Sequence, residues 1–381
     1  MRHFTIIVPV FQIASIFNMF IESLCKSLTR PCDLIFINDG SPIDIEPIVN
    51  KYKSTNNFIK NLNIIKNEKS MGCAKSLNNA LEMISEISDF IVFMDSDLIV
   101  QNRWQNQLEE SFYLENVGIV GGVLLYPQTG GIQCCGITYG ESIGRHLFLN
   151  ANPDVLNEMS IIEIQATVFA FCAIRYTAIK ETGLLDDSFF NGYEDLDYQM
   201  RVRSLGFRTI INTNIRHYHW ERSNGIHREF NRKNNLGRFW HKHGNNIVCD
   251  IWDFIFPQIK KISAEKKYIG IDICESRSDA SFFWKELNSR SNITISKVYD
   301  YSGMCGDNQS IWLPQLFHSS GFTSTQPYLF FCDQFIRLLD NKYWWNLRQN
   351  FCLNDIIVDI YGNVMNFSSL EKSFWPGTKI R

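Results

Sequence analysis

The stretch Phe90-Ile91-Val92-Phe93-Met94-Asp95-Ser96-Asp97 limits the folds open to this chain more than any other. An apolar run bounded by polar residues reads as a buried strand, the pattern of a parallel sheet covered on both faces. Its end delivers two carboxylates to the C-terminal edge of that sheet, where open α/β sheets keep their ligands. Carboxylates one residue apart repel unless a cation or a set of donors lies between them, so the pair points to a hard divalent metal, whose shell a diphosphate would complete. Asp-x-Asp also occurs where a strand merely ends in a turn. Its weight therefore depends on the segments around it.

Those segments repeat one pattern. Phe4 to Val10 is a β-rich run closed by Pro9, after which Ile13, Phe17, Phe20, Ile21 and Leu24 recur at helical spacing. Leu34 to Ser41 is an apolar strand ending in Asn38-Asp39-Gly40-Ser41, and Leu62 to Ile65 is a third strand. Gly72 opens a helix with Leu77, Ala80, Leu81, Ile84 and Ile87 on one face. Alternation of this kind predicts an α/β fold with right-handed crossovers and a mostly parallel sheet. Parallel strands end on one side, so Val8-Pro9-Val10, Asp39 to Ser41 and Asp95 to Asp97 converge and imply a pocket.

Composition removes several function classes. With 381 residues, 45% of them hydrophobic, the chain can build a large domain and a smaller one. A net charge of -3 offers no strongly basic face, which excludes nucleic acid as the expected partner. Eleven cysteines without framework spacing read as reduced core thiols of a cytosolic protein, and Cys134-Cys135 lacks zinc-site spacing. The first apolar run, interrupted by Pro9, Gln12 and Asn18, fits a strand better than a signal peptide, and no stretch approaches the roughly 20 apolar residues of a membrane span.

Further along, Gly118 to Leu125 reads as a strand and Glu163 to Ile174 as a long apolar segment holding Gln165 and Thr167. A helix starting at Asn191 or Gly192 would turn Leu196, Met200 and Leu205 inward and stop at Gly206. Glu194, Asp195 and Asp197 then lie in its first turn, where the helix dipole favours acids by a few tenths to about 1 kcal/mol. That accounts for one or two of them and leaves the adjacent Phe189, Phe190 and Tyr193 unexplained. The strand Arg208 to Ile215 runs on into Arg216-His217-Tyr218-His219-Trp220, whose two histidines share a face. His227 to His243 is basic; Arg228 and Lys233 suit a donor diphosphate and a solvated face equally. These features assign residues 1–250 to one domain. Strands at Tyr268 to Ile273, Asn292 to Ile295 and Ile356 to Ile360, a helix with Phe282, Phe283, Trp284 and Leu287, and the aromatic pairs at Trp344-Trp345 and Phe374-Trp375 mark 251–381 as an accessory region of unknown role.

The ordered set Ile-Val-Pro-Val, Asn-Asp-Gly-Ser, Asn67 to Gly72 opening a helix with Asn78 or Asn79, and Met-Asp-Ser-Asp resembles the nucleotide-binding half of family 2 glycosyltransferases of the GT-A fold, over about residues 4–245. The nearest likeness is to inverting, metal-dependent transferases of bacterial polysaccharides, including rhamnosyl types. The resemblance implies that Asp39 holds the nucleotide base, that Asp97 binds Mn or Mg on the diphosphate, and that Asp95 sits near the ribose and metal. Pro9, Val10, Ser41, Gly72, Lys75 and Ser96 would complete the donor site. By the same likeness Asp195 is the base of an inverting transfer, with Glu194 beside it binding the acceptor together with Tyr193 and Trp220. A histidine at the end of the last strand joins the metal; the spacing of His219 to Ser223 favours His219, with His217 as fallback. Implied partners are a UDP- or dTDP-sugar donor and a glycan, lipid-linked or protein-linked acceptor, in surface polysaccharide or glycoconjugate synthesis, in the cytoplasm with at most peripheral attachment to the inner face of the membrane.

Other readings fit less well. A haloacid dehalogenase-like phosphohydrolase also has an apolar strand followed by Asp-x-Asp, but usually near its N-terminus and with a different following pattern. A sugar-nucleotide synthesising enzyme needs a Gly-rich loop where Phe11-Gln12-Ile13 stands. A non-catalytic sugar-nucleotide or glycan binder on the same fold has no use for a metal set and a base together.

Overall fold

The computed structural model describes residues 2–11, 14–41, 44–54, 56–141, 143–221, 225–302, 325–335 and 352–366, apart from the side chains of 14, 15 and 225–230. The first elements are β1 (Phe4–Val10), α1 (Ala14–Ser27), β2 (Cys32–Asp39), α2 (Glu46–Lys53), β3 (Ile59–Asn67), α3 (Cys73–Leu81), β4 (Phe90–Met94), β5 (Leu98–Ile99), α4 (Trp104–Ser111), β6 (Val117–Leu125) and β7 (Ile132–Cys134). A small pair follows, β8 (Ile137–Tyr139) with β9 (Gly144–His146), then β10 (Ile161–Ile164), β11 (Phe171–Arg175), α5 (Tyr176–Thr182), α6 (Glu194–Ser204), β12 (Arg208–His219) and α7 (Gly225–His243). Chain contacts divide the molecule into two compact units, Met1–Ile137 with Leu156–Ile247, and Thr138–Val155 with Val248–Arg381. The short insert at 138–155 thus belongs with the C-terminal region, a grouping that a single cut at residue 250 does not express.

The first unit is organised on one sheet, ordered β10-β12-β6-β11-β4-β1-β2-β3, with β5 paired to β12 and β7 to β6. β3, β2, β1 and β4 run parallel, β11 runs against β4 and β6, and β12 is parallel to β6. The C-terminal ends of β1, β2, β4, β6 and β12 consequently share one edge. β1, β2 and β4 are buried almost throughout, the consequence of helices on both faces. On one face α3 and α6 pack through Leu77, Ala80, Tyr198 and Val202 onto Ile7, Ile37 and Phe93. On the other, Phe17 of α1 meets Phe36, and Trp104 of α4 meets Phe4 and donates its indole N–H to Ser27 Oγ at 2.9 Å. β3 is partly exposed and carries Lys60 and Lys66, as an outer strand should.

Two expectations for these helices need correction. α3 stops at Leu81, where Met83 and Ile84 donate to carbonyls only three residues back and tighten the chain into a turn, so Ile87 is 64% exposed. In α6, Leu205 is exposed and lies past the last turn, while the buried positions are Glu194, Asp197, Tyr198, Gln199, Met200 and Val202. The inner stripe of α6 is largely polar because its side chains bond to neighbouring elements. Likewise the segment from Glu163 to Ile174 is two strands, β10 and β11, with Thr167 between them.

The second unit contains α8 (Ile251–Ile262), β13 (Lys267–Asp272), α9 (Arg277–Arg290), β14 (Thr294–Asp300), β15 (Tyr328–Cys332), β16 (Ile356–Asp359) and β17 (Val364–Asn366). Its sheet runs β14-β13-β15-β16-β17, parallel except for β17. Stacked Phe256, Phe283 and Phe331 fill the core, and the insert is tied in by a buried Arg145–Asp279 ion pair of 2.5 Å. Trp344, Trp345, Phe374, Trp375 and Pro376 lie outside the described residues. Among the described residues no helix is long and apolar enough to cross a membrane.

Gly40, next to Asp39, has φ +74°, and a Cβ there would lie 2.5 Å from the Ser70 nitrogen. Since backbone occupies that space, Gly40→Ala is expected to cost at least about 2 kcal/mol in chemical denaturation, through a strained φ and a clash together.

Candidate functional site

At the shared edge, β4 ends in Asp95 and Asp97, and the chain turns at once into β5, which pairs with the end of β12 through His219↔Leu98. Asp95 N–H donates to the Ala170 carbonyl and Trp220 N–H to that of Asp97. These bonds bring His219 Nε2 to 3.0 Å from Asp97 Oδ1 and 3.6 Å from Asp95 Oδ2. One donor atom from each of Asp95, Asp97 and His219 lies within 4.8 Å of the others. Asp97 and His219 are buried, whereas the Asp95 side chain is 44% exposed. Burial by itself would lower the His219 pKa, but hydrogen bonds to and charges of Asp95 and Asp97 outweigh it and raise it to about 10. The pair thus demands a positive partner. Two carboxylate oxygens and an imidazole nitrogen converging from separate strands suit a hard or borderline divalent cation such as Mn or Mg.

The far side of His219 is anchored. Its Nδ1 lies 2.7 Å from Gln133 Oε1 on β7, and Gln133 Nε2 donates to Glu221 Oε2 at 3.0 Å. His217 behaves differently: it is buried against Phe171, its Nδ1 accepts the Gln101 N–H at 3.0 Å, and burial lowers its pKa to about 3. It is a neutral packed histidine outside the metal-competent group. Ser223 lies outside the described residues, and Arg228 among the undescribed side chains.

Asp39 sits at the end of β2. Burial pushes its carboxyl up, yet bonds from the Met71 N–H, Asn67, Ser70 and Ser76 outweigh this and hold it below the usual range. Oδ1 accepts from Asn67 at 2.8 Å, Met71 at 2.9 Å and Ser76 at 2.7 Å, while Oδ2 accepts from Ser70 at 2.7 Å. Asp39 therefore organises the loop leading to α3, a structural duty its place in the sequence does not reveal. Ser41 N–H caps back onto Asn38 Oδ1 at 2.9 Å. Of the other residues expected on the donor side, Val10, Ser96 and Gly72 are buried, Pro9 half-buried and Lys75 exposed.

Glu194 and Asp195 start α6 after a left-handed stretch, with φ 52° at Asn191, 142° at Gly192 and 71° at Tyr193. Such backbone persists only where its surroundings hold it. Asn191 Oδ1 accepts the Cys73 N–H at 2.9 Å, and Asn235 of α7 donates to the Phe190 and Gly192 carbonyls. Asp197, fully buried, is bound by Lys242, His243 and Arg201 at 2.6, 2.8 and 3.0 Å. Gln199 exchanges bonds with the Thr167 backbone and donates to the Asp195 carbonyl. None of Asn191, Gln199, Asn235 or His243 carries a sequence signal beyond being polar in a helix or turn.

The two acidic sets share a neighbour. The Cys73 thiol, half-buried at the start of α3, is pushed well above its usual range by desolvation and then by the charges of Glu194, Asp95 and Asp195. Phe190 lies over Gly72, where a Cβ would meet its ring at 2.8 Å. Trp220 is half-buried beside Asp97, and Tyr193 packs on Phe239.

Burial, followed by the charge of Asp195, raises the Glu194 pKa from 4.5 to about 7. Between those values the folded chain holds a proton that the unfolded chain has lost, so stability falls as pH rises through this window and the loss is complete above it. Glu194→Gln is expected to match wild type near pH 4 and to exceed it increasingly as pH rises toward 8, measured by denaturation across that range.

Residues 5–133 match the family model described as Glycosyl transferase family 2. A comparison with curated proteins finds no match. Among solved structures, the mannosyltransferase PcManGT from Pyrobaculum calidifontis, in complex with GDP-Man and Mn2+, is 15% identical with a TM-score of 0.46, over 64% of this chain and 65% of that one. GalNAc-T7 with UDP, GalNAc and Mn2+ is 14% identical with a TM-score of 0.47, over 59% and 45%. S. aureus TarS 1-349 is 18% identical with a TM-score of 0.41, over 57% and 60%. The chain thus spans less than two thirds of each of these structures. Residues 5–133 are thus similar to glycosyltransferase family 2, and the matched segment holds β1 to β4 and β6 of the mostly parallel sheet together with Asp95 and Asp97.

Proposed function

We propose that this chain is an inverting glycosyltransferase that moves a sugar from a nucleotide diphosphosugar, of UDP or dTDP type, to a hydroxyl of a glycan, lipid-linked or protein-linked acceptor. The observation that supports the reading is the grouping of Asp95, Asp97 and His219, with Asp95, Glu194 and Asp195 all near enough to Cys73 to act on its thiol, in a chain whose residues 5–133 match the family 2 model. Surface polysaccharide or glycoconjugate synthesis in the cytoplasm, with at most peripheral contact to the membrane, is the setting we attach to it.

In this mechanism the acceptor hydroxyl oxygen attacks the anomeric carbon while the bond from that carbon to the diphosphate oxygen breaks on the opposite face. The electron pair leaves with the diphosphate, and the hydroxyl proton passes to Asp195. Asp195 lies in the first turn of α6, where the helix dipole favours its charged form. Asp95, Asp97 and His219 would hold Mn or Mg, which supplies neutralising charge for the departing diphosphate. Pro9, Val10, Asp39, Ser41, Gly72, Lys75 and Ser96 form the donor side; Glu194, whose carboxyl is pushed up by burial and by the charge of Asp195, binds the acceptor, flanked by Tyr193 and Trp220.

Incubation with a panel of sugar nucleotides and hydroxyl acceptors should give metal-dependent release of nucleoside diphosphate and a product whose anomeric configuration, read by NMR, is opposite to the donor's. Asp195→Asn is expected to lower turnover by about 10²–10⁴-fold while calorimetry shows donor binding retained. Lost donor binding with retained turnover would assign Asp195 another role.

A further inference from the structure

The proton positions on His219 follow from its neighbours. Gln133 is 2% exposed on β7, which is held to β6 through Leu124↔Cys134 and Leu125↔Ile132. Of its amide, Nε2 faces Glu221 Oε2 at 3.0 Å and the His219 carbonyl at 3.4 Å, and Oε1 faces His219 Nδ1 at 2.7 Å. A carboxylate and a carbonyl can only accept, so the NH2 group must point toward them. The opposite rotamer would set the amide oxygen against two other acceptors in a buried site. Oε1 therefore faces the imidazole, and since a carbonyl oxygen cannot donate, Nδ1 carries the hydrogen. Nε2 is left for Asp97, Asp95 and whatever cation they hold. Glu221, which fixes the amide, has φ +39°, a left-handed value uncommon for a glutamate.

We infer that Gln133, oriented by Glu221, is a positioning residue that locks His219 in the Nδ1–H tautomer and ring setting that present Nε2 to a divalent cation. The inference rests on the metal reading of the Asp95, Asp97 and His219 group. Outer partners of this kind orient a metal-binding imidazole and raise its basicity, and their loss weakens metal affinity by about 10- to 100-fold. Gln133 is the residue type required: an apolar side chain leaves Nδ1–H unsatisfied, and a lysine would favour the wrong tautomer.

The test is direct Mn2+ binding to the full chain, by EPR of free Mn2+ and by calorimetry, with pulsed EPR of the nitrogen coupling that reports a bound imidazole. Gln133→Leu is expected to weaken Mn2+ binding by about 10- to 100-fold and to diminish that coupling, with the melting temperature recorded alongside. The double variant Gln133→Glu with Glu221→Gln exchanges the two groups: a carboxylate now accepts from Nδ1–H and a neutral amide donates to it. Since a carboxylate cannot donate to the His219 carbonyl, it is expected to recover part of both affinity and coupling relative to Gln133→Leu, which a merely space-filling Gln133 does not require. Wild-type affinity and coupling in Gln133→Leu, or a double variant no better than that single one, overturns the inference while leaving the metal site standing. Absence of any Mn2+ binding by the wild-type chain overturns the metal site and this inference together.

Discussion

Two carboxylates at the end of one buried strand have to be answered by positive charge, and much of the first unit is arranged to answer them. Asp97 is 6% exposed, and a buried unpaired carboxylate costs several kcal/mol. The answer comes from His219, more than a hundred residues later, so β12 must lie parallel to β6 and end on the same edge. The two-residue strand β5 fixes this register by pairing its Leu98 with His219. The imidazole supplies the charge alone when protonated, or helps hold a cation when not.

The start of α6 is built on backbone that resists its own conformation. Asn191 and Tyr193 hold left-handed φ values, each a conformation that needs outside support. That support is polar: the Cys73 N–H on Asn191, Asn235 on the flanking carbonyls, and the Asp197 cluster fastening α6 to α7. The start of α6, where Glu194 and Asp195 project, is thus fixed from several sides. In the mechanism we propose, the carboxylate that meets the acceptor hydroxyl gains from such fixation, since positioning contributes much of a transfer rate.

What the sequence disclosed divides along physical lines. Apolar runs followed by helical spacing revealed β1, β2, β4 and the parallel edge, because burial on both faces leaves a continuous hydrophobic record. Asp95 and Asp97 stand out through their spacing at a strand end, whereas Asp195 and His219 are singled out by the resemblance to family 2 glycosyltransferases. Leu205 and Ile87 read as inward because apolarity was the signal, yet each lies where the helix has already ended. The insert 138–155 was invisible because its partners, such as Asp279 for Arg145, come from far along the chain. Gln133, Gln199 and Asn235 escaped for the same reason: a buried amide is defined by whom it bonds, and no periodicity encodes that.

The central claim is that acids and an imidazole from distant segments hold one cation at the mouth of a nucleotide cleft. Anomalous diffraction from crystals grown with Mn2+ and a nucleoside diphosphate tests this most directly. The account predicts a manganese peak bonded to Asp97 and His219 and to the diphosphate, with the Asp195 carboxylate facing the same cavity. A peak elsewhere, or a diphosphate bound with Asp195 opening onto a separate surface, would contradict it.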